Sequence, residues 1–224
     1  VKNAQGQAIE AYTYNRTGDR LSKAASGLAT GAYSYQSGTH WLTSIGSGAR
    51  TYDANGNTTG NVVGGSTYGY GYNDRNRMTV VQRNGQTVAN YVYNAFEQRV
   101  GKTATFPSSV AQRFIYDENN QIVGEYGAAS RSYVWLDNLP VALVDTSGGI
   151  SSMSYVHADG LNTPRAVADA GGAVVWQWPF QGNPFGEQQP ASSSGYAFNL
   201  RFPGQYAGNA GSDLPRHEFE AAPR

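Results

Sequence analysis

The side chains of this sequence that could do chemistry are few, and most of them sit beside turn residues. His157 and Asp159 are separated by one residue, a spacing that puts two side chains on one face of a strand, as a metal pair or as a base with its orienting carboxylate. The other imidazoles, His40 and His217, are remote in sequence, so a third metal ligand is hard to find. The competing reading is a turn with a hydrogen-bonded histidine. Asp53-Ala54-Asn55-Gly56-Asn57 opens like a calcium loop, but the twelfth place, which needs a bidentate Glu, is Gly64. Asp137, Asp145, Asp159 and Asp169 all neighbour turn residues, where carboxylates cap backbone amides. Spacing along a β chain does not establish whether any two of them reach the separation of an acid–base pair. There is no Gly-x-Ser-x-Gly elbow, and Gly69-Tyr70-Gly71-Tyr72-Asn73-Asp74 lacks both the last glycine of a dinucleotide fingerprint and a following helix. No catalytic, cofactor-binding or metal residue is assigned, no cofactor is expected, and the chain is read as a non-enzyme.

Composition narrows the partners. Lys plus Arg and Asp plus Glu are 16 each, so no net field draws the chain to nucleic acid or anionic lipid. Charged residues are 14% and glycines 28 of 224, a β-and-turn composition. The 16 Tyr, 8 Phe and 4 Trp suit a pleated surface with one wet end on each tyrosine ring. Absence of cysteine excludes a disulfide framework and thiolate metal sites without fixing a compartment. No apolar run reaches the roughly 18 residues of a membrane span, and no signal peptide opens the chain. Because it starts at Val1 without an initiator Met, the chain is expected to be a fragment, any export signal lying outside it.

What must position these side chains is a repeat. Its units are Tyr12-Thr13-Tyr14-Asn15, Tyr33-Ser34-Tyr35, Thr51-Tyr52-Asp53, Tyr70-Gly71-Tyr72-Asn73, Tyr91-Val92-Tyr93-Asn94 and Phe114-Ile115-Tyr116-Asp117. The second aromatic falls at 14, 35, 52, 72, 93 and 116, a period of about 20. Aromatics at i and i+2 share a strand face, and the Asn, Asp and Gly that follow accept positive φ, so each unit predicts a strand, a turn and a return strand. Lone hairpins are marginal in water, so the units must pair edge to edge in one continuous antiparallel β-sheet spiral. Trp135, His157 and Trp178 extend the period into a more apolar stretch. Little helix is expected. From Pro179, prolines among Gly, Ser and aromatics (Phe180, Phe185, Tyr196, Phe198, Phe202, Tyr206) predict a strap across the sheet rather than another regular hairpin. The division is 1–130 hairpin repeats, 131–206 apolar strands plus strap, and 207–224 an irregular tail.

The Tyr-x-Tyr-(Asn or Asp)-x-x-Gly units resemble the YD repeats of the Rhs family. The series Tyr155-Val156-His157-Ala158-Asp159-Gly160-Leu161-Asn162-Thr163-Pro164-Arg165, Trp176-Gln177-Trp178-Pro179-Phe180, Asn183-Pro184-Phe185-Gly186 and Asn199-Leu200-Arg201-Phe202-Pro203-Gly204-Gln205-Tyr206 resembles the approach to the Rhs repeat-associated core. The resemblance covers about residues 10 to 206. It implies an all-β YD-repeat shell that encapsulates a C-terminal toxin, in bacterial polymorphic toxins that are secreted or displayed at the cell surface; related repeats occur in teneurins. The implied partners are the rest of the shell, the toxin domain and a secretion-system delivery protein. Members end in an Asp-Pro-x-Gly-Leu-like motif at which an Asp-based self-cleavage frees the toxin. This chain has no Asp-Pro dipeptide, and its last aspartate, Asp213, lies in a polar Gly-rich stretch, so it reads as C-terminally truncated or frame-changed and is expected not to cut itself. The alternative is an adhesin-like module that binds glycans through an aromatic face.

Overall fold

A computed structural model describes residues 1–24, 31–179, 186, 188–207 and 219–221. The strands are β1 (Ala11–Tyr14), β2 (Arg20–Ala24), β3 (Gly31–Tyr35), β4 (Leu42–Ile45), β5 (Gly48–Tyr52), β6 (Thr58–Val63), β7 (Ser66–Tyr72), β8 (Met78–Arg83), β9 (Gln86–Tyr93), β10 (Arg99–Ala104), β11 (Val110–Tyr116), β12 (Ile122–Tyr126), β13 (Ser130–Leu136), β14 (Leu139–Ser147), β15 (Ile150–Ala158), β16 (Pro164–Asp169), β17 (Val174–Gln177), β18 (Ala191–Ser192), β19 (Gln205–Ala207) and β20 (Phe219–Ala221). Eighteen of them belong to one sheet and β19–β20 form a second. No helix occurs among the described residues, and none is long and apolar enough to cross a membrane.

The chain divides into two compact units, Val1–Thr87 with Pro179–Gln188, and Val88–Trp178 with Gln189–Arg224. In the first, each strand from β1 to β8 pairs antiparallel with the next. In the second, β9 to β18 do the same. The hairpins close in two ways. Gly64-Gly65, Asn84-Gly85, Asp137-Asn138 and Gly148-Gly149 make two-residue turns, with positive φ at both glycines of 64-65 and 148-149, the mirror-image geometry that matches strand twist.

The closures that follow Tyr14, Tyr35, Tyr52, Tyr72, Tyr93 and Tyr116 are longer, and each sits next to a bulge. Tyr14, Tyr35, Tyr52, Tyr72 and Tyr116 each end a first strand where the register slips by one, and Tyr93 pairs Arg99 at the same slip. The bulge strengthens local twist and turns the marker ring along the sheet. Its predecessor two residues back is the buried member of the pair: Tyr33, Tyr70, Tyr91, Phe114 and Tyr133 are all buried. Trp135 continues the series, paired with Pro140 at a bulge. His157 does not, because the slip comes after it and Ala158 holds the marker place opposite Pro164. Trp178 lies just past the end of β17, buried.

The core of the second unit collects Phe114, Tyr133, Leu143, Val156, Val167, Trp176, Trp178, Phe198, Leu200 and Tyr206. The last three come from the stretch expected to be a strap, and their side chains pack into this core. It is also a hairpin, contrary to expectation: Leu200 bridges Tyr206, and Gln205 N–H donates to Phe202 C=O at 2.7 Å around Pro203-Gly204, with Gly204 at φ 77°. Pro then a positive-φ Gly is the type II turn pairing. Phe219–Ala221, within the stretch expected to be irregular, pair with β19. Phe180, Phe185, His217 and Asp213 lie outside the described residues.

Candidate functional site

The longer loops repeat one hydrogen-bond scheme. At Asn3, Asn15, Asp53, Asn73, Asn94, Asp117, Asp159 and Asp169, Oδ1 accepts the backbone N–H groups two and four residues on, at 2.8–3.1 Å. This is an Asx turn whose side chain replaces a missing backbone acceptor. The third residue after the Asx takes positive φ: Gly18, Gly56, Asn76, Glu97, Asn120, Asn162 and Gly172. Glu97 is the residue there that is neither Gly nor Asn, and it bears the steric cost of that region. Asp53 and Asp159 are therefore turn caps. Asp53 Oδ2 also accepts from Asn57 Nδ2 at 2.8 Å, and that bond holds its carboxyl below the usual value. Burial pushes Asp159 upward, but its bond from Arg165 Nε at 2.9 Å and the loop amides prevail and leave it lowered.

Successive units are then fastened by their marker rings. Tyr35 O–H donates to Arg20 C=O, Tyr52 to Leu42 C=O, Tyr72 to Thr58 C=O and Tyr116 to Arg99 C=O, at 2.7–3.1 Å. Trp135 Nε1–H reaches Ile122 C=O at 2.9 Å. Each accepting residue is the one opposite the preceding marker. A tyrosine thus fills the inter-unit groove with its ring and closes the next rung with its hydroxyl. Arginines add a second rung: Arg20 lies over Tyr12 and Tyr33 at 5.5 and 4.5 Å, and Arg99 over Tyr91 and Phe114 at 5.4 and 5.0 Å, so each guanidinium sits between first aromatics of adjacent units. Glu10 and Lys23, both buried, pair at 3.3 Å, and Tyr12 O–H donates to the other Glu10 oxygen at 2.6 Å.

The strap hairpin is pinned to the second unit by three arginines of the sheet and one of its own. Arg131 binds Asp145 through Nε and Nη2 at 2.6 and 2.9 Å, and Tyr196 O–H donates to the same carboxylate at 3.0 Å. Burial lowers the Arg131 guanidinium, but the bond to Asp145 outweighs this and leaves it raised. Arg165 lies over Trp178 and Phe202, and Arg99 over Tyr206 at 4.8 Å. Arg201 Nη1 donates to Phe198 and Leu200 C=O at 2.7 and 2.9 Å beneath Trp176 and Trp178, and burial brings its guanidinium down to about 10. Buried Glu125 accepts Tyr133 O–H, with Tyr206 beside it and Asn199 Nδ2 donating to Tyr206 at 2.8 Å. Burial first, and the Glu125 charge second, push both phenols well above the usual tyrosine value. They stay protonated donors, so the cluster fixes the strap rather than supplying a nucleophile.

His157 and Asp159 are not brought together as a pair. His157 is exposed on β15 and makes no hydrogen bond among the described residues, whereas Asp159 is committed to its loop and to Arg165. Asp137 sits in a two-residue turn, Asp145 in the Arg131 pair and Asp169 in a loop cap. No cluster of three or more His, Asp or Glu suited to a metal ion occurs among the described residues. The arginine contacts escaped sequence reasoning because their partners are distant in the chain; Arg20 and Arg99 lie opposite the markers Tyr14 and Tyr93, whereas Leu42, Thr58, Met78 and Ile122 hold that place in the other units, so no uniform signal announced them.

A family model described as teneurin YD-shell matches residues 1–209. No curated protein matches. Among solved structures, the crystal structure of TcdB2-TccC3 superposes with a TM-score of 0.62 at 15% identity, over 88% of this chain and 11% of that one. That of TcdB2-TccC3-TEV gives a TM-score of 0.33 at 11% identity, over 94% of this chain and 17% of that one. This chain therefore spans a small fraction of the structures it matches.

Proposed function

The chain belongs to the teneurin YD-shell family, and from that membership we propose that it is a stretch of shell wall that encloses a C-terminal toxin for delivery to another cell. The observation that carries this is the ladder of marker rings: Tyr35, Tyr52, Tyr72 and Tyr116 each spend the hydroxyl on a backbone carbonyl of the hairpin before. Such a device adds units indefinitely and leaves little for catalysis, which suits a wall. Much of the aromatic face that an adhesin would offer to glycans is consumed by the same ladder, since the first rings Tyr33, Tyr70, Tyr91, Phe114 and Tyr133 are buried.

On this reading residues 1–130 are YD hairpins, residues 131–206 begin the associated core, and the strap closes over the core's apolar face. The partners are the remaining shell, the enclosed toxin and a delivery protein; the place of action is outside the producing cell or at its surface. The likeness to TcdB2-TccC3 supports the fold of the wall. The test is protease protection in the longer protein that carries this chain. Enclosure predicts that a segment C-terminal to the core survives digestion until the wall is opened by denaturant. Digestion of that segment at the rate of a free polypeptide contradicts it.

A further inference from the structure

The face of the second unit opposite the strap carries a groove of about 410 Å³ whose lining includes Asn90, Val92, Gly101, Ala111, Arg113 and Tyr126. Register explains it. Val92 lies opposite Gly101, Gly101 opposite Arg113, and Arg113 opposite Tyr126, a straight row over four strands; Asn90, Thr103 and Ala111 form the next row. Side chains standing on neighbouring strands roughly 4.8 Å apart normally touch. Gly101 and Ala111 leave the floor bare, and a Cβ at Gly101 would stand 3.4 Å from Val92 Cβ, so any larger residue there would fill the trough. Tyr126 is folded down on Gly124, where a Cβ would come within 2.7 Å of its Cε2. One face of the ring is therefore against the sheet and the other is open, the side chain being 43% exposed.

We propose that this groove binds an acidic saccharide. A sugar ring has an apolar C–H face for an open aromatic platform and hydroxyls for amide and hydroxyl partners such as Asn90 and Thr103. Lys102 also lines the groove but is buried, so Arg113 is the exposed cation of the lining; no aspartate or glutamate lines the groove, and among the described residues no hydrogen bond or ion pair engages the Arg113 guanidinium. A guanidinium fork selects a planar carboxylate, which a uronic acid carries. The site is separate from the marker ladder, so it stands or falls independently of the enclosure reading.

The experiment is calorimetric titration of the chain with a short oligogalacturonate, with a neutral cello-oligosaccharide of equal length as comparison. Saturable binding of the acidic probe alone is expected. Arg113→Gln should weaken it about tenfold, the scale of one charge-assisted pair, and Gly101→Leu should abolish it, both variants keeping the parent melting temperature. Absence of saturable binding, equal binding of the neutral probe, or full affinity in a folded Gly101→Leu chain overturns the proposal.

Discussion

At the scale of single residues, stability in this chain rests on repeated small polar devices rather than on a few large ones. The Asn73 side chain satisfies two loop amides, so Asn73→Ala should cost about 1–2 kcal/mol in urea denaturation, while Asn73→Asp, which keeps the acceptor, should cost far less. Tyr72→Phe deletes one rung at Thr58 C=O and should cost about 1 kcal/mol. Glu97, at φ 63°, occupies a place that sister loops give to Gly or Asn; Glu97→Asn should gain about 0.5–1 kcal/mol by relieving that strain. Charge state follows the same devices. Asp19, held down chiefly by Asn15 and then by His40, Asp53 and Asp159 are all lowered in the fold. Carboxylates of this kind contribute stability that is fully present above the unfolded value near 3.9 and is lost as pH falls through the folded one. Tyr133 and Tyr206 are raised, so their contribution is present below about 10 and is lost as pH rises through their folded values. The thermal midpoint should thus stay level from about pH 5 to 9 and fall on either side; a fall between pH 5 and 8 would contradict this assignment.

At the scale of elements, the strap is the part whose attachment can be cut without touching the ladder. Arg131 joins β13 to Asp145 of β14 and to the strap through Tyr196. Arg131→Ala should leave Asp145 with only the Tyr196 hydroxyl as partner, speed hydrogen exchange over residues 191–207, and leave exchange at the marker loops unchanged. The hairpins themselves were legible in the sequence because Tyr-x-Tyr followed by Asn or Asp reports both a strand face and a turn. Asn3 and Asp169 open loops of the same kind without a preceding aromatic pair, so the aromatic pattern passed over Asn3; an Asx with Gly or Asn three residues later is the more general signal. The hairpin within the strap was missed because prolines argued against regular pairing, although Pro203-Gly204 is itself turn chemistry. What the strap touches was not legible at all, since Arg131, Arg165 and Arg99 meet it only after the sheet has brought distant strands under it.

At the scale of the whole molecule, the organisation is additive: bulge, marker ring, Asx loop and return strand recur within each compact unit, and Tyr35, Tyr52, Tyr72 and Tyr116 each bond a carbonyl of the hairpin before. Chains of this kind extend without a specialised centre, and the early candidates for chemistry, Asp53, Asp159 and their neighbours, turn out to serve extension. The central claim is that this stretch is wall around a cargo. The most direct measurement is an electron cryomicroscopy reconstruction of the longer protein that carries it. The account predicts residues 1–207 within a continuous β wall, strap intact on one face, with polypeptide density enclosed behind it. A reconstruction in which this stretch stands apart as its own module, with no enclosed chain, would contradict the claim.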